Sequence, residues 1–148
     1  MVFWNNIKNF LGHQIRKLFE IDKMEFQDIV INKIVINQII QFAKNSHPKE
    51  FVAFLNGEVH NKNLVLDNLI YHEFVSSENS AMPIFHFANK SFYGSVHSHP
   101  SYNNRPSVED IRFFRKTGIV HCIICKPYSD PNIKFYNQNG EEISVKIR

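Results

Sequence analysis

Apolar positions along the chain follow helical and strand periods in turn. Trp4, Ile7, Leu11, Ile15 and Leu18 recur at spacings of three and four. Phe3, Phe10 and Phe19 widen that stripe, and Lys8, Arg16 and Lys17 supply basic charge, so residues 1–20 predict an amphipathic helix. Packing on the domain or on a second subunit is the plainer use of such a helix; docking to a partner or a membrane surface is the sharper one. The charged stretch 22–28 joins this extension, residues 1–28, to a main domain over residues 29–148. Ile29-Val30-Ile31 predicts a short strand. Ile36, Ile39, Ile40 and Ala43 predict a helix that Ser46-His47-Pro48 closes, because a residue before proline resists the helical region.

Residues 51–55 read as a buried strand. Strand character continues through Val59, breaks at His60-Asn61-Lys62-Asn63 and resumes from Leu64 into Phe74, which predicts a hairpin with a polar turn. Residues 76–80 read as loop, 82–90 fit a short helix, and 92–97 return to strand. From Ser107 the period is helical, with Ile111 and Phe114 on adjacent turns and Gly118 at the end. Residues 119–126 predict a strand, and 133–136 with 143–147 a hairpin around Asn139-Gly140. The elements sum to a mixed sheet of about six strands with flanking helices, an α/β or α+β single domain.

A chain of 148 residues suffices for one domain with a real core. Its 43% hydrophobic and 21% charged content is that of a soluble globular protein. The net charge of +3 is mild and no Lys/Arg run occurs, so no nucleic-acid partner is expected. Two cysteines make no disulfide framework. With no transmembrane run and no secretory pattern, the expected location is the cytoplasm.

The chemistry concentrates in His97-Ser98-His99-Pro100 and the polar loop that leads to Ser107-Val108-Glu109-Asp110. At the end of a strand His97 and His99 project to one face, where two imidazoles are poor core material but good metal ligands. Asp110 supplies a third donor, and three protein ligands with an open fourth position describe a catalytic zinc site. Ser107-x-x-Asp110 is equally a capping box, so the local sequence leaves cap and ligand evenly balanced for Asp110. Glu50 heads an apolar strand just after a helix-ending proline. A carboxylate there is the type that serves a metal-assisted hydrolysis as general base, although spacing alone favours a solvated strand end. Cys122 and Cys125 lie three apart on a strand and face opposite sides, so they read as core rather than as a second metal or redox site. His121 adjoins this cysteine pair, and the other histidines, His13, His47, His60, His72 and His86, have no partner spacing.

His97-Ser98-His99, seven residues, Ser107, two residues and Asp110 resemble the H-[S/T]-H-x7-S-x2-D motif of the JAMM/MPN+ zinc metalloproteases. The motif's upstream glutamate falls on Glu50, within a segment similar to the glutamate strand of the small prokaryotic members. The likeness runs from about residue 29 to 148 and implies the cytidine-deaminase-like JAB/MPN fold. It also implies a zinc-dependent isopeptidase that cuts after the C-terminal Gly-Gly of a ubiquitin-like modifier or sulfur-carrier protein. In that reading one Zn²⁺ per chain sits on His97, His99 and Asp110. Glu50 moves the proton, and Ser107 donates to the oxyanion. The chain has no room for long insertions, and the N-terminal helix is an addition suited to a partner or to self-association. A non-catalytic MPN-type scaffold and a RadC-like JAB protein are the alternatives; the RadC-like group usually carries Asn where this chain has Ser98.

Overall fold

The computed structural model describes residues 26–71 and 92–148. The helix expected over residues 1–20, the loop at 76–80 and the stretch 82–90 lie outside these residues, as do His13, His72 and His86.

The chain runs through β1 (Asp28–Ile31), α1 (Lys33–Ser46), β2 (Val52–His60) and β3 (Asn63–Tyr71). It continues through β4 (Gly94–His99), α2 (Val108–Thr117), β5 (Val120–Cys125), a short 3-10 turn (Asp130–Asn132), β6 (Ile133–Tyr136) and β7 (Lys146–Ile147). Asn32 caps α1, its side chain accepting from the Ile34 amide, and the helix buries Val35, Ile36, Ile39 and Ala43. These apolar positions repeat at three and four, which turns one stripe to the sheet. β2 and β3 form the expected hairpin. Asn61 and Lys62 both have positive φ, 50° and 64°, as a two-residue turn that follows the twist of its strands requires.

The strands form one seven-stranded sheet in the order β6-β5-β4-β2-β3-β1-β7. β4 is its pivot, antiparallel to β2 on one side and parallel to β5 on the other. Parallel neighbours need a crossover, and α2 supplies it. Gly94 opens β4 where a Cβ would stand 1.5 Å from the Val120 carbonyl oxygen, so the close start of the β4–β5 pair needs glycine.

Alternation along the strands divides the residues between two faces. Ala53, Leu55, Val96, Cys122 and Ile124 join the main core under α1. Phe54 packs with Phe92 on the other face, and Ile123 joins Phe114 of α2. Cys122 and Cys125 are both buried and unpaired, and burial pushes the Cys122 thiol up, so it is an inert core residue.

The C-terminal hairpin differs from the sequence expectation. Gly140, with φ 79°, makes the turn, and the Ile143 amide donates to the Phe135 carbonyl at 2.9 Å. The chain then leaves β6, and β7 pairs in parallel with β1 at the opposite edge of the sheet. Ile143 and Val145 pack against the main core on the way, which a continued hairpin at the edge would not give them.

Candidate metal centre

The site lies where β4 ends. His97 and His99 stand two apart on that strand and share the face that α2 covers. Their Nε2 atoms are 3.0 Å apart. The Asp110 carboxylate, from the first turn of α2, brings Oδ1 to 3.1 Å from His97 Nε2 and Oδ2 to 3.5 Å from His99 Nε2. The donor atoms of these three residues all lie within 4.8 Å of one another. Two imidazole nitrogens and a carboxylate pointed at one spot repel unless a cation or a proton lies between them, so the set suits a divalent ion.

Asp110 makes the capping box and at the same time turns its carboxylate towards the two histidines. Ser107 is the N-cap, its Oγ accepting from the Asp110 amide at 3.1 Å, while the Ser107 amide donates to Asp110 Oδ2 at 2.6 Å. Burial pushes the Asp110 carboxyl up. The hydrogen bond and charge of His97, with the bonds to Ser107, outweigh that and hold it well below the usual carboxylate range. Asp110 is therefore a carboxylate at neutral pH, fixed in orientation by its own helix. Ser107 is exposed; its Oγ accepts from the Asp110 amide, and its side chain is also within reach of the Asp110 carboxylate, one of the bonds that hold that carboxyl down.

His99 is oriented from behind. Its Nδ1 lies 2.8 Å from the Asn103 carbonyl, which accepts only an N–H, so Nε2 keeps its lone pair for the site. The loop that carries this carbonyl is itself tied down. The Lys126 amide donates to Ser101 O at 2.9 Å, and Asn104 Nδ2 donates to Asn132 O at 3.1 Å. Tyr136 OH donates to Asn104 O at 2.8 Å; burial pushes that phenol up to about 12 and keeps its proton on. The Asn103 carbonyl is a main-chain group with no side-chain signature, and the partners of the Asn104 and Tyr136 side chains are distant main-chain carbonyls that no local sequence pattern reveals.

Glu50 is exposed and lies two residues before the start of β2. Among the described residues it has no hydrogen-bond or ion-pair partner. The β2–β4 register ends with Val52 facing His97; continued two residues back, it would set Glu50 opposite His99 and on the same face.

Behind His97 lies a buried stack. Phe114 sits 6.0 Å from the His97 ring and lies flat on His121 at 4.1 Å. His121 Nε2 donates to Gly118 O at 3.0 Å, and Nδ1 accepts from Ser95 Oγ at 2.8 Å, so both ring nitrogens are satisfied by a neutral imidazole. Burial pushes His121 down to about 3. The unfolded chain takes up this proton below its ordinary value of 6.5 and the folded chain does not, so stability is lost as pH falls from 6.5 towards 3. Metal-free protein is expected to lose about 2 kcal/mol from this group by pH 5. Denaturant titrations at pH 7 and pH 5 should show that loss shrink in His121→Gln. A ring that titrates near 6.5 by NMR contradicts it.

A family model described as prokaryotic homologs of the JAB domain matches residues 32–138. A protein of Haloferax volcanii named a probable metalloprotease is 32% identical over 111 residues, covering 69% of this chain and 68% of that one. Among solved structures, a JAB1/MPN domain protein from Archaeoglobus fulgidus is 36% identical with a TM-score of 0.64, covering 80% of this chain and 97% of its own. A structure reported as a JAMM metalloprotease-like zinc site in the proteasome and signalosome is 33% identical with a TM-score of 0.66, covering 82% of this chain and 99% of its own.

Proposed function

The chain belongs to the prokaryotic JAB-domain family, and from that premise we propose that it is a zinc-dependent peptidase of ubiquitin-like tails. The bond cut is the one after the C-terminal Gly-Gly of a ubiquitin-like modifier or sulfur-carrier protein. The observation that carries the reading is the convergence of His97, His99 and Asp110 beside an exposed serine hydroxyl.

The donor set suits zinc by size. Tetrahedral bonds of about 2.0–2.1 Å put ligand atoms about 3.3 Å apart. The separations here run from 3.0 to 3.5 Å when each histidine is taken to its nearer Asp110 oxygen, and all the donor atoms lie within 4.8 Å before any ion draws them together. Three ligands leave a fourth position for water. When bound, zinc would lower the pKa of that water towards neutrality and polarise the scissile carbonyl.

The residues then divide the work. Glu50, on the face of the two histidines and in reach of solvent, accepts the proton that the attacking water releases. As the water oxygen bonds to the carbonyl carbon, charge collects on the carbonyl oxygen. Ser107 turns its O–H to that oxyanion, while its cap on α2 holds the oxygen in place. When the C–N bond breaks, Glu50 passes its proton to the departing amine, so proton and electrons balance. The exposure of Glu50, Ser107 and neighbouring Tyr102 opens the site to a polypeptide tail.

We assign this catalysis to residues 29–148, with residues 1–28 as an extension that recruits a partner or a second copy. The buried free thiols fit a reducing, cytoplasmic setting. No helix among the described residues is long and apolar enough to cross a membrane. A complete ligand set argues against a non-catalytic scaffold.

The test is incubation of zinc-loaded protein with the host's small ubiquitin-like proteins, both as C-terminal fusions and as lysine conjugates. Cleavage after Gly-Gly is expected, lost with chelator and restored by zinc. Intact fusions and conjugates in the presence of one bound zinc per chain overturn the substrate assignment. Salt-dependent DNA binding at physiological ionic strength would favour the RadC-like alternative.

A further inference from the structure

Ser98 lies between the two histidines yet points away from them. It is fully buried, on the face of Val96 and the α1 core. Its main-chain and side-chain atoms take part in an unusual junction with β2. The β2–β4 ladder pairs Val52 with His97, which places Phe51 opposite Ser98 one step further on. Residues that face each other as a hydrogen-bonded antiparallel pair exchange two main-chain bonds. Here only one is made in that way: the Ser98 amide donates to the Phe51 carbonyl at 3.1 Å. The returning bond runs from the Phe51 amide to Ser98 Oγ at 3.0 Å, so the serine hydroxyl has taken the place of a main-chain acceptor.

This junction is the last tie between β2 and β4 before Glu50. Phe51 is itself buried, so its amide has no access to water in place of the serine. Glu50, the next residue back, is exposed. Lys49 is bonded to the end of α1 rather than to β4, its amide donating to Ser46 O at 2.8 Å. One hydroxyl, on the residue between two metal ligands, therefore fixes the peptide that carries the carboxylate.

We infer that Ser98 is a positioning residue for Glu50, holding the general base at a set height above the metal ligands through the Phe51 amide. The inference rests on the assignment of Glu50 as base. A carboxylate that must take a proton from one atom and return it to another tolerates little displacement, and misplacement by about 1 Å can cost about 100-fold in rate. Removing the hydroxyl releases the Phe51 amide, and with it the Glu50–Phe51 peptide, while the Ser98 amide still holds the Phe51 carbonyl and no ligand or base is touched.

Ser98→Ala is therefore expected to lower kcat by about 10- to 100-fold with KM and bound zinc unchanged. Ser98→Cys, similar in size but a poor acceptor, should behave like alanine, and Ser98→Thr should restore turnover to within a few-fold. In zinc-free protein the Phe51 amide should be protected from hydrogen exchange in the wild type and lose that protection in Ser98→Ala. In a Glu50→Gln background Ser98→Ala should cause no further loss, because the two residues act as one unit.

Multiplicative losses in the double variant, a fall in zinc occupancy, or an unchanged Phe51 exchange rate would each overturn the positioning role. Full turnover in Glu50→Gln alone overturns the base assignment, and it is read separately from every Ser98 variant.

Discussion

Glu50→Gln is expected to lower kcat by about 1,000-fold, within the range that a positioned general base contributes. The amide matches the carboxylate in size and cannot take a proton. The residue is exposed and has no hydrogen-bond or ion-pair partner among the described residues, so its replacement should leave folding untouched. Zinc stoichiometry and KM should stay at wild-type values, which separates a lost proton carrier from a lost ligand. The variant should also trap substrate: an intact Gly-Gly fusion ought to co-purify with it in the presence of zinc. Turnover within a few-fold of wild type would show that the proton leaves by another route.

Asp110 carries the second large effect, and its two roles can be separated. Asp110→Asn keeps an oxygen that can accept from the Ser107 amide but loses the charge that holds a cation. Zinc affinity should fall by more than the ~10- to 100-fold that loss of an outer partner costs, and activity with it. Asp110→Ala removes ligand and cap together. It should match Asn in zinc binding and lie about 1 kcal/mol lower in the stability of the metal-free protein. Isothermal titration with zinc and denaturant melts in chelator read the two losses independently. Wild-type zinc affinity in Asp110→Asn would remove Asp110 from the ligand set.

What was legible in the sequence, and what was not, follows the range of each interaction. His97 and His99 are a local signal: two residues on a strand share a face whatever surrounds them. The Ser107-Asp110 pair is equally local, and the sequence posed its two uses as rivals. The structure has room for both because a carboxylate offers two oxygens, and the helix takes part of only one. The path after Gly140 was not legible. Asn139-Gly140 dictates a turn, but the partner of the next strand depends on where Ile143 and Val145 find burial, and that is decided by α1 and β1 more than a hundred residues earlier. Glu50 lies between these cases. Its residue type was visible, but its relation to the histidines needs the β2–β4 register, which no local spacing encodes. The Asn103 carbonyl behind His99 is a main-chain group, and any residue at that position would present one.

The path of the C-terminal segment has one more consequence. A sheet ends in two rows of unpaired amides and carbonyls, and such rows capture extended peptides without regard to sequence. In this chain, β7 covers part of the β1 edge with only two residues, and Lys146 is anchored to Asp28 at 2.7 Å. At the other edge the returning strand bonds to Phe135 and bridges Tyr136 with Glu142 before it departs. A single crossing segment thus blunts both rims. Under the proposed function, in which one site receives an extended tail, this is protection against receiving it elsewhere: a stray tail meets a short, lysine-bearing strand on one side and a partly occupied one on the other.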